Sequence, residues 1–94
     1  MLFRSRVVVL STLQCRPVPP SQPLNGCTSV VRAGVARLNQ MLRQQLPPGA
    51  FLDLNPVMSP GGRLRGDLSV DGIHLNGAGY GEWNALLAPL LQGV

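Results

Sequence analysis

The sequence predicts an α/β fold in which two parallel strands and two helices follow one another in the order βαβα. Three observations predict it: apolar runs near residues 7 and 50, helical spacing of the apolar residues between them, and a leucine-rich helical pattern that ends the chain. A strand, a crossover helix and a parallel strand connect with the same, right-handed sense in nearly all proteins. The 94 residues allow one compact unit with a modest core.

The first strand is predicted at about residues 6–14. Its apolar run, Val7 to Leu13, is rich in β-branched residues, and a continuous run of this length is typical of a strand covered on both faces. A loop is predicted at 15–27, because that segment holds four prolines. In parallel sheets, the loop after a strand lies on the ligand-binding side.

A helix is predicted at about residues 28–46. Thr28 or Asn25 is expected to cap its start, and Pro47 and the residues after it end it. Gly34 costs about 1 kcal/mol relative to alanine inside a helix, which indicates close packing on a neighbour. The apolar residues at helical spacing, which we expect to form the buried face, are Val31, Val35, Leu38, Leu42 and Leu46.

The second half is predicted to contain a strand at about 50–54, a loop at 57–77 and a helix at about 78–91. Asn76 is the expected cap of that helix, and Tyr80 is expected to pack within the fold. The expected buried face comprises Trp83, Leu86, Leu87, Leu90 and Leu91. Two strands are too few for a stable sheet and leave an edge unpaired, so residues 1–94 are expected to form a single, partial domain.

Composition excludes several classes of function. The net charge of +4 comes from scattered arginines with no aromatic residues among them, so we expect no nucleic-acid partner. Cys15 and Cys27 match no metal signature, and we expect free thiols, no metal and no cofactor. No run has the 18 to 20 apolar residues, roughly, that a membrane span requires. The compartment is left unknown, with the cytoplasm favoured because no convincing signal peptide is present.

Asp71 and His74 form the one pair of residues with the pattern of an acid–base site. Residues three apart in a tight or helical turn project to the same side. The carboxylate can then accept the Nδ1 proton of the imidazole, which leaves Nε2 free to take a proton from a nucleophile. Gly72 permits a turn that a larger residue would resist.

The run Asp71-Gly72-Ile73-His74-Leu75-Asn76-Gly77-Ala78-Gly79-Tyr80 closely resembles the last conserved block of the SGNH/GDSL hydrolases. The resemblance spans roughly residues 6–92 and takes its specificity from 71–80. It implies the C-terminal portion of a flavodoxin-like three-layer α/β/α parallel sheet. It also implies that His74 is the general base, that Asp71 orients it and that the substrate is a small acyl ester. Leu75 stands where many members carry proline.

The nucleophile of that family lies in a Gly-Asp-Ser block, and an oxyanion donor lies in a Gly-x-Asn-Asp block. Neither block occurs in this chain, and the nearest string, from Gly66 to Ser69, is interrupted by Leu68. Ser59 and Ser69 are not expected to replace the nucleophile. We therefore expect the C-terminal fragment of a serine ester hydrolase, inactive alone. The alternative is a non-enzymatic remnant or interaction module that associates through its exposed sheet edge.

Overall fold

A computed structural model describes residues 7–19, 21 and 26–91 of the chain. Two short strands and three helices follow in order: β1 (Val9–Leu10), α1 (Ser29–Gln45), β2 (Phe51–Leu52), α2 (Asn55–Met58) and α3 (Gly77–Leu91). Two 3-10 turns, Pro60–Gly62 and Gly66–Leu68, lie between α2 and α3. The strands pair in parallel, with Val9 opposite Phe51 and Leu10 opposite Leu52. A βαβ unit followed by helices is therefore present.

Both strands are shorter than the predicted ranges 6–14 and 50–54, and residue 6 lies outside the described residues. The Ser11 N–H still donates to the Leu52 carbonyl at 2.9 Å, and after it side chains take over from backbone pairing. The Ser11 hydroxyl accepts the backbone N–H of Leu54 at 2.9 Å. The Asn39 amide accepts the N–H of Thr12 at 2.8 Å and donates to its carbonyl at 2.7 Å. Polar side chains that bond to the backbone in this way compete with the sheet ladder and end the strand.

The segment predicted as a loop at 57–77 contains regular structure. Helix α2 begins at Asn55, and Pro56 is accommodated in its first turn because a helix needs no backbone N–H donor there. The long helices match their predicted ranges within one residue. Both predicted caps are confirmed: Thr28 Oγ1 accepts the N–H of Val31 at 3.3 Å, and Asn76 Oδ1 accepts the N–H of Gly79 at 2.8 Å.

Helix α1 presents part of the predicted face to the molecule: Val35, Leu42 and Leu46 lie on its inward side as predicted. Val31 and Leu38 are 50% and 45% exposed, so placing them on the buried face was wrong. The half-buried face comprises Arg32, Val35, Asn39, Leu42 and Leu46. Arg32 donates from Nε to the Cys15 carbonyl at 3.2 Å and from Nη2 to the Gly62 carbonyl at 2.6 Å. The helix is turned so that its polar side chains satisfy backbone carbonyls of irregular segments.

The hydrophobic core lies beside α3 and not beneath α1. Its centre is the cluster of Leu54, Met58 and Leu68, which α2, the loop before it and the second 3-10 turn contribute. The partly buried residues packed against this cluster are Leu10, Leu13, Leu52, Leu75, Trp83 and Leu86. Trp83 and Leu86 thus pack as predicted, whereas Tyr80 is 57% exposed and does not. The side chain of Leu91 lies outside the described residues.

A disulfide joins Cys15 and Cys27, so the prediction of free thiols was wrong. The Cys27 N–H donates to the Arg16 carbonyl at 2.8 Å, and a parallel bridge links Pro17 with Cys27. These contacts bring the two ends of the proline-rich loop together, which residue spacing alone does not reveal. Closing a loop of roughly this length stabilises a fold by about 3 kcal/mol in the chain-entropy model. That amount matters for a domain with so small a core.

Replacing Arg32 with leucine is expected to lower the free energy of unfolding by about 2 kcal/mol, because two carbonyls lose a charge-assisted donor. Arg37→Leu, at an exposed position of the same helix, is the matched control and should change stability by less than about 0.5 kcal/mol. Urea unfolding followed by circular dichroism measures both. Equal effects of the two substitutions would contradict the role assigned to Arg32.

Candidate functional site

The Asp71–His74 turn lies between the second 3-10 turn and helix α3. Its C-terminal end is fastened by Asn76, which donates from its backbone N–H to the Leu68 carbonyl at 2.9 Å and from Nδ2 to the Asp67 carbonyl at 3.1 Å. The same side chain caps α3. One asparagine therefore ties the turn to both neighbouring elements and holds it at a defined position.

Within the turn, the Asp71 carboxylate and the His74 imidazole make direct contact. Nδ1 of His74 lies 2.7 Å from Oδ2 of Asp71. The other oxygen, Oδ1, accepts the backbone N–H groups of Ile73 and His74, each at 2.8 Å. These bonds fix the orientation of the carboxylate, because one oxygen is held by the backbone while the other meets the imidazole. The structure thus brings together the two residues that the sequence predicted as a pair.

The surroundings of Asp71 keep its carboxylate ionised. The hydrogen bond from the His74 imidazole lowers its pKa most, and the backbone N–H groups of His74 and Ile73 and the Ser69 hydroxyl lower it further, against a smaller opposing effect of burial. An ionised carboxylate can only accept hydrogen bonds. It therefore favours the imidazole tautomer with its proton on Nδ1, which leaves the Nε2 lone pair available as a base.

The imidazole is open to solvent. The side chain of His74 is 81% exposed and that of Asp71 is 37% exposed. No described residue hydrogen bonds to Nε2. Beside the pair lies a shallow cavity of about 260 Å³, lined by Val70, Asp71, His74, Leu75 and Asn76. Val70 and Leu75 line this cavity together with His74, so the accessible side of the imidazole has an apolar border.

Residues that the sequence analysis did not connect with the pair support the turn from below. Arg16 donates from its backbone N–H to the Gly72 carbonyl at 3.0 Å and from Nη2 to the Ser69 carbonyl at 2.7 Å. The Ser69 hydroxyl accepts the Gly72 N–H at 2.9 Å and donates to Asp71 Oδ1 at 3.2 Å. Gly72 has a φ of +80°, as its predicted role in the turn requires. The sequence gives no signal of the contact with Arg16, because this residue lies in the loop after β1, far along the chain from the turn.

Neither local serine is placed as a nucleophile. Ser69 is buried, and its hydroxyl serves Asp71 and Gly72. Ser59 is also buried and donates to the Gln14 carbonyl at 2.8 Å. Among the described residues, no serine hydroxyl forms a hydrogen bond with the His74 imidazole. Both serines support the backbone.

A larger cavity of about 500 Å³ lies between α1 and the segments that follow the two strands, but His74 does not line it. Most of its amide side chains are occupied: Asn39 bonds to Thr12, Asn55 to Gln14, and Gln14 to the Arg32 carbonyl. Its charged pair, Arg43 with Asp53, is joined at 2.6 Å. The polar groups of this cavity therefore maintain the fold, and we assign it no ligand.

No protein-family model, no curated protein and no solved structure matches this chain. Within residues 7–19, 21 and 26–91, no three His, Cys, Asp or Glu side chains are grouped so that they could hold a metal ion. None of the helices α1 to α3 combines the length and the apolar character that crossing a membrane demands. The functional assignment therefore depends on the residues and the geometry of the turn.

The proton of the neutral His74 imidazole is expected to reside mainly on Nδ1, because the Asp71 carboxylate accepts it there. In Asp71→Ala this preference should be lost, whereas Asp67→Ala, which removes an exposed aspartate from the same loop, should retain it. Nitrogen-15 NMR of the imidazole ring above neutral pH measures the tautomer. A proton found mainly on Nε2 in the unmodified chain would refute the arrangement.

Proposed function

We propose that this chain is the C-terminal, acid–base portion of an SGNH/GDSL-type serine ester hydrolase, with the corresponding part of a flavodoxin-like α/β/α sheet. One observation carries the proposal: Asp71 contacts His74 Nδ1 at 2.7 Å, on a rigid turn that leaves the rest of the imidazole exposed. This is the arrangement that an aspartate–histidine pair needs in order to serve a serine. The resemblance of residues 71–80 to the family's last conserved block supports the same conclusion.

In this reaction His74 acts first as a base and then as an acid. Nε2 accepts the proton of a serine hydroxyl as the serine oxygen attacks the acyl carbon of the ester. The imidazolium then returns the proton to the departing alcohol oxygen, and water hydrolyses the acyl-serine in a second, equivalent cycle. Asp71 stays ionised throughout and stabilises the imidazolium. The serine and the oxyanion donors come from polypeptide outside residues 1–94.

The border of the site is consistent with an ester substrate. Val70 and Leu75 place apolar surface beside the imidazole, where an acyl chain or a short alcohol can lie. No ionised side chain other than Asp71 lines the shallow cavity. A small neutral ester therefore suits this surface better than a strongly charged substrate.

The chain alone is expected neither to react with a serine-directed fluorophosphonate nor to hydrolyse a short-chain nitrophenyl ester faster than His74→Ala does. Joined to the polypeptide encoded upstream of Met1, it should gain activity that His74→Ala lowers by about 10⁴-fold. Fluorophosphonate labelling of Ser59 or Ser69 in the chain alone would show that it holds its own nucleophile. An upstream sequence without Gly-Asp-Ser and Gly-x-Asn-Asp blocks would contradict the assignment.

A second candidate function, an interaction module that self-associates, is favoured by the exposed flank of α1. Val31, Gly34, Leu38 and Met41 follow one another at intervals of three, four and three residues, which is the spacing of a helix–helix seam. A Cβ atom added at Gly34 would have no neighbour within 4 Å. The close packing partner that we predicted from this glycine is therefore not among the described residues. The flank is thus available to another molecule.

The occupant that we propose for this flank is α1 of a second copy, packed antiparallel. Leu38 then lies opposite its own counterpart at the centre of the seam. Gly34 lies opposite Met41 of the partner, so a flexible side chain fills the space that the glycine leaves. Seams built from a large residue opposite a small one pack two helices at a short interaxial distance. The flank is therefore complementary to itself.

Sedimentation velocity is expected to show dimers whose fraction rises with protein concentration. Leu38→Glu should produce monomers, because two carboxylates would meet at the centre of the seam. Gln40→Glu adds the same charge at an exposed position of the helix away from this seam and should leave the dimer intact. Monomers of the unmodified chain across the accessible concentration range would contradict this second function.

A further inference from the structure

The cross-linked loop after β1 forms the surface on which the Asp71–His74 turn lies. The disulfide closes this loop at Cys15 and Cys27. Arg16, next to the first cysteine, accepts the Cys27 N–H with its carbonyl at 2.8 Å. The backbone N–H of Arg16 points the other way and donates to Gly72 at 3.0 Å. One residue therefore connects the cross-link on one side with the turn on the other.

The loop and the turn approach each other more closely than any residue except glycine would permit. A Cβ at Gly72 would lie 2.9 Å from Arg16 Nε, 3.0 Å from Arg16 Cβ and 3.4 Å from the Cα of Gly26. A Cβ at Gly26 would lie 2.5 Å from the Arg16 carbonyl oxygen. Both glycines also have positive φ angles. The contact is therefore built into the backbone of both segments.

Among the described residues, Arg16 is the single long-range polar support of the turn. Among the described hydrogen bonds, the others that reach residues 69–76 come from within residues 67–80. Arg16 adds the backbone bond to Gly72 and the 2.7 Å bond from Nη2 to Ser69. Ser69 in turn bonds to the Asp71 carboxylate. A shift of Arg16 is thus transmitted through Ser69 and Gly72 to the carboxylate that orients the imidazole.

We propose that Arg16, held in place by the Cys15–Cys27 disulfide, is a positioning residue of the His74 base, and that reduction of the disulfide releases it. The proposal rests on the function proposed above and concerns the regulation of the same site. Arg16 Nε is buried with no hydrogen-bond partner among the described residues. An unpaired buried donor opposes the closed arrangement and gains water when the loop opens. The disulfide keeps the loop closed against this tendency.

The redox step balances with a dithiol as reductant. The sulfur–sulfur bond breaks, the two cysteines take up two electrons and two protons as thiols, and the dithiol leaves as its own disulfide. Disulfides persist in oxidising compartments and are rare in the cytosol. The cross-link therefore argues against the cytoplasmic location favoured from the sequence. Under the proposal, the cross-link keeps the His74 base correctly oriented in an oxidising compartment.

The test uses amide hydrogen exchange and imidazole nitrogen-15 NMR on the full chain, oxidised and after reduction with dithiothreitol. Reduction is expected to speed exchange of the Ile73 and His74 amides by about tenfold relative to the amides in the middle of α3, and to lower the population with the proton on Nδ1. The Cys15→Ser, Cys27→Ser double variant should behave as the reduced chain does.

In the oxidised chain, Arg16→Met should speed exchange of the Ile73 and His74 amides and lower the Nδ1 population as reduction does. Reducing the disulfide of Arg16→Met should then change these quantities little, because the substitution and the reduction act through the same contact. Arg16→Lys, which keeps a donor for the Ser69 carbonyl, should restore part of the Nδ1 population. Arg63→Met, at an exposed arginine, is the matched control and should change nothing.

Unchanged exchange and an unchanged tautomer in both the reduced chain and Arg16→Met would overturn this inference and leave the proposed function standing. Equal acceleration at α3 and at the turn would also overturn it, because the disulfide would then stabilise the whole fold without specific action on the base. A tautomer insensitive to Asp71→Ala would instead refute the base assignment itself. The failures are thus distinguishable.

Discussion

Backbone that leaves the sheet early must find hydrogen-bond partners elsewhere, and most of this structure follows from that requirement. The two strands pair over only two residues each, so the segments after them carry donors and acceptors that no strand satisfies. Side chains from distant elements supply the partners: Asn39 and Arg32 from α1, Asn55 from α2, and Arg16 from the loop itself. Arg32 and Asn39 consequently lie on the inward face of α1 beside its half-buried apolar residues, and the flank with Val31 and Leu38 remains exposed.

The same arrangement creates a rigid place for an exposed imidazole. A histidine on a free loop would lose its orientation to thermal motion, whereas His74 is held by a carboxylate that is itself bonded to two backbone N–H groups. Because these bonds lower the pKa of Asp71, its carboxylate stays ionised at more acidic pH than that of an ordinary aspartate. A side chain that is exposed to solvent is usually poorly oriented, because no packing holds it. In this turn, backbone N–H groups hold the Asp71 carboxylate, and the carboxylate orients the exposed imidazole.

The distribution of apolar surface explains why so small a unit needs a covalent link. The core is concentrated between α2, the second 3-10 turn and α3, while α1 has no fully buried residue. A domain that buries little apolar area gains little free energy against the conformational entropy of its chain. The Cys15–Cys27 disulfide reduces the entropy of the unfolded chain and so adds stability that the small core does not supply.

The sequence by itself determined the features that depend on local chemistry. These are the two long helices and their caps, the βαβ order, and the Asp71–His74 pair, whose members lie three residues apart and need only a turn to meet. Only the tertiary structure decided which face of α1 lies inward, that Cys15 and Cys27 join, and that Arg16 supports the turn. The contacts of Arg32 and Arg16 depend on backbone carbonyls left unpaired by distant segments, and residue spacing carries no record of such groups. The disulfide depends on the approach of the two ends of the loop, which spacing does not reveal either.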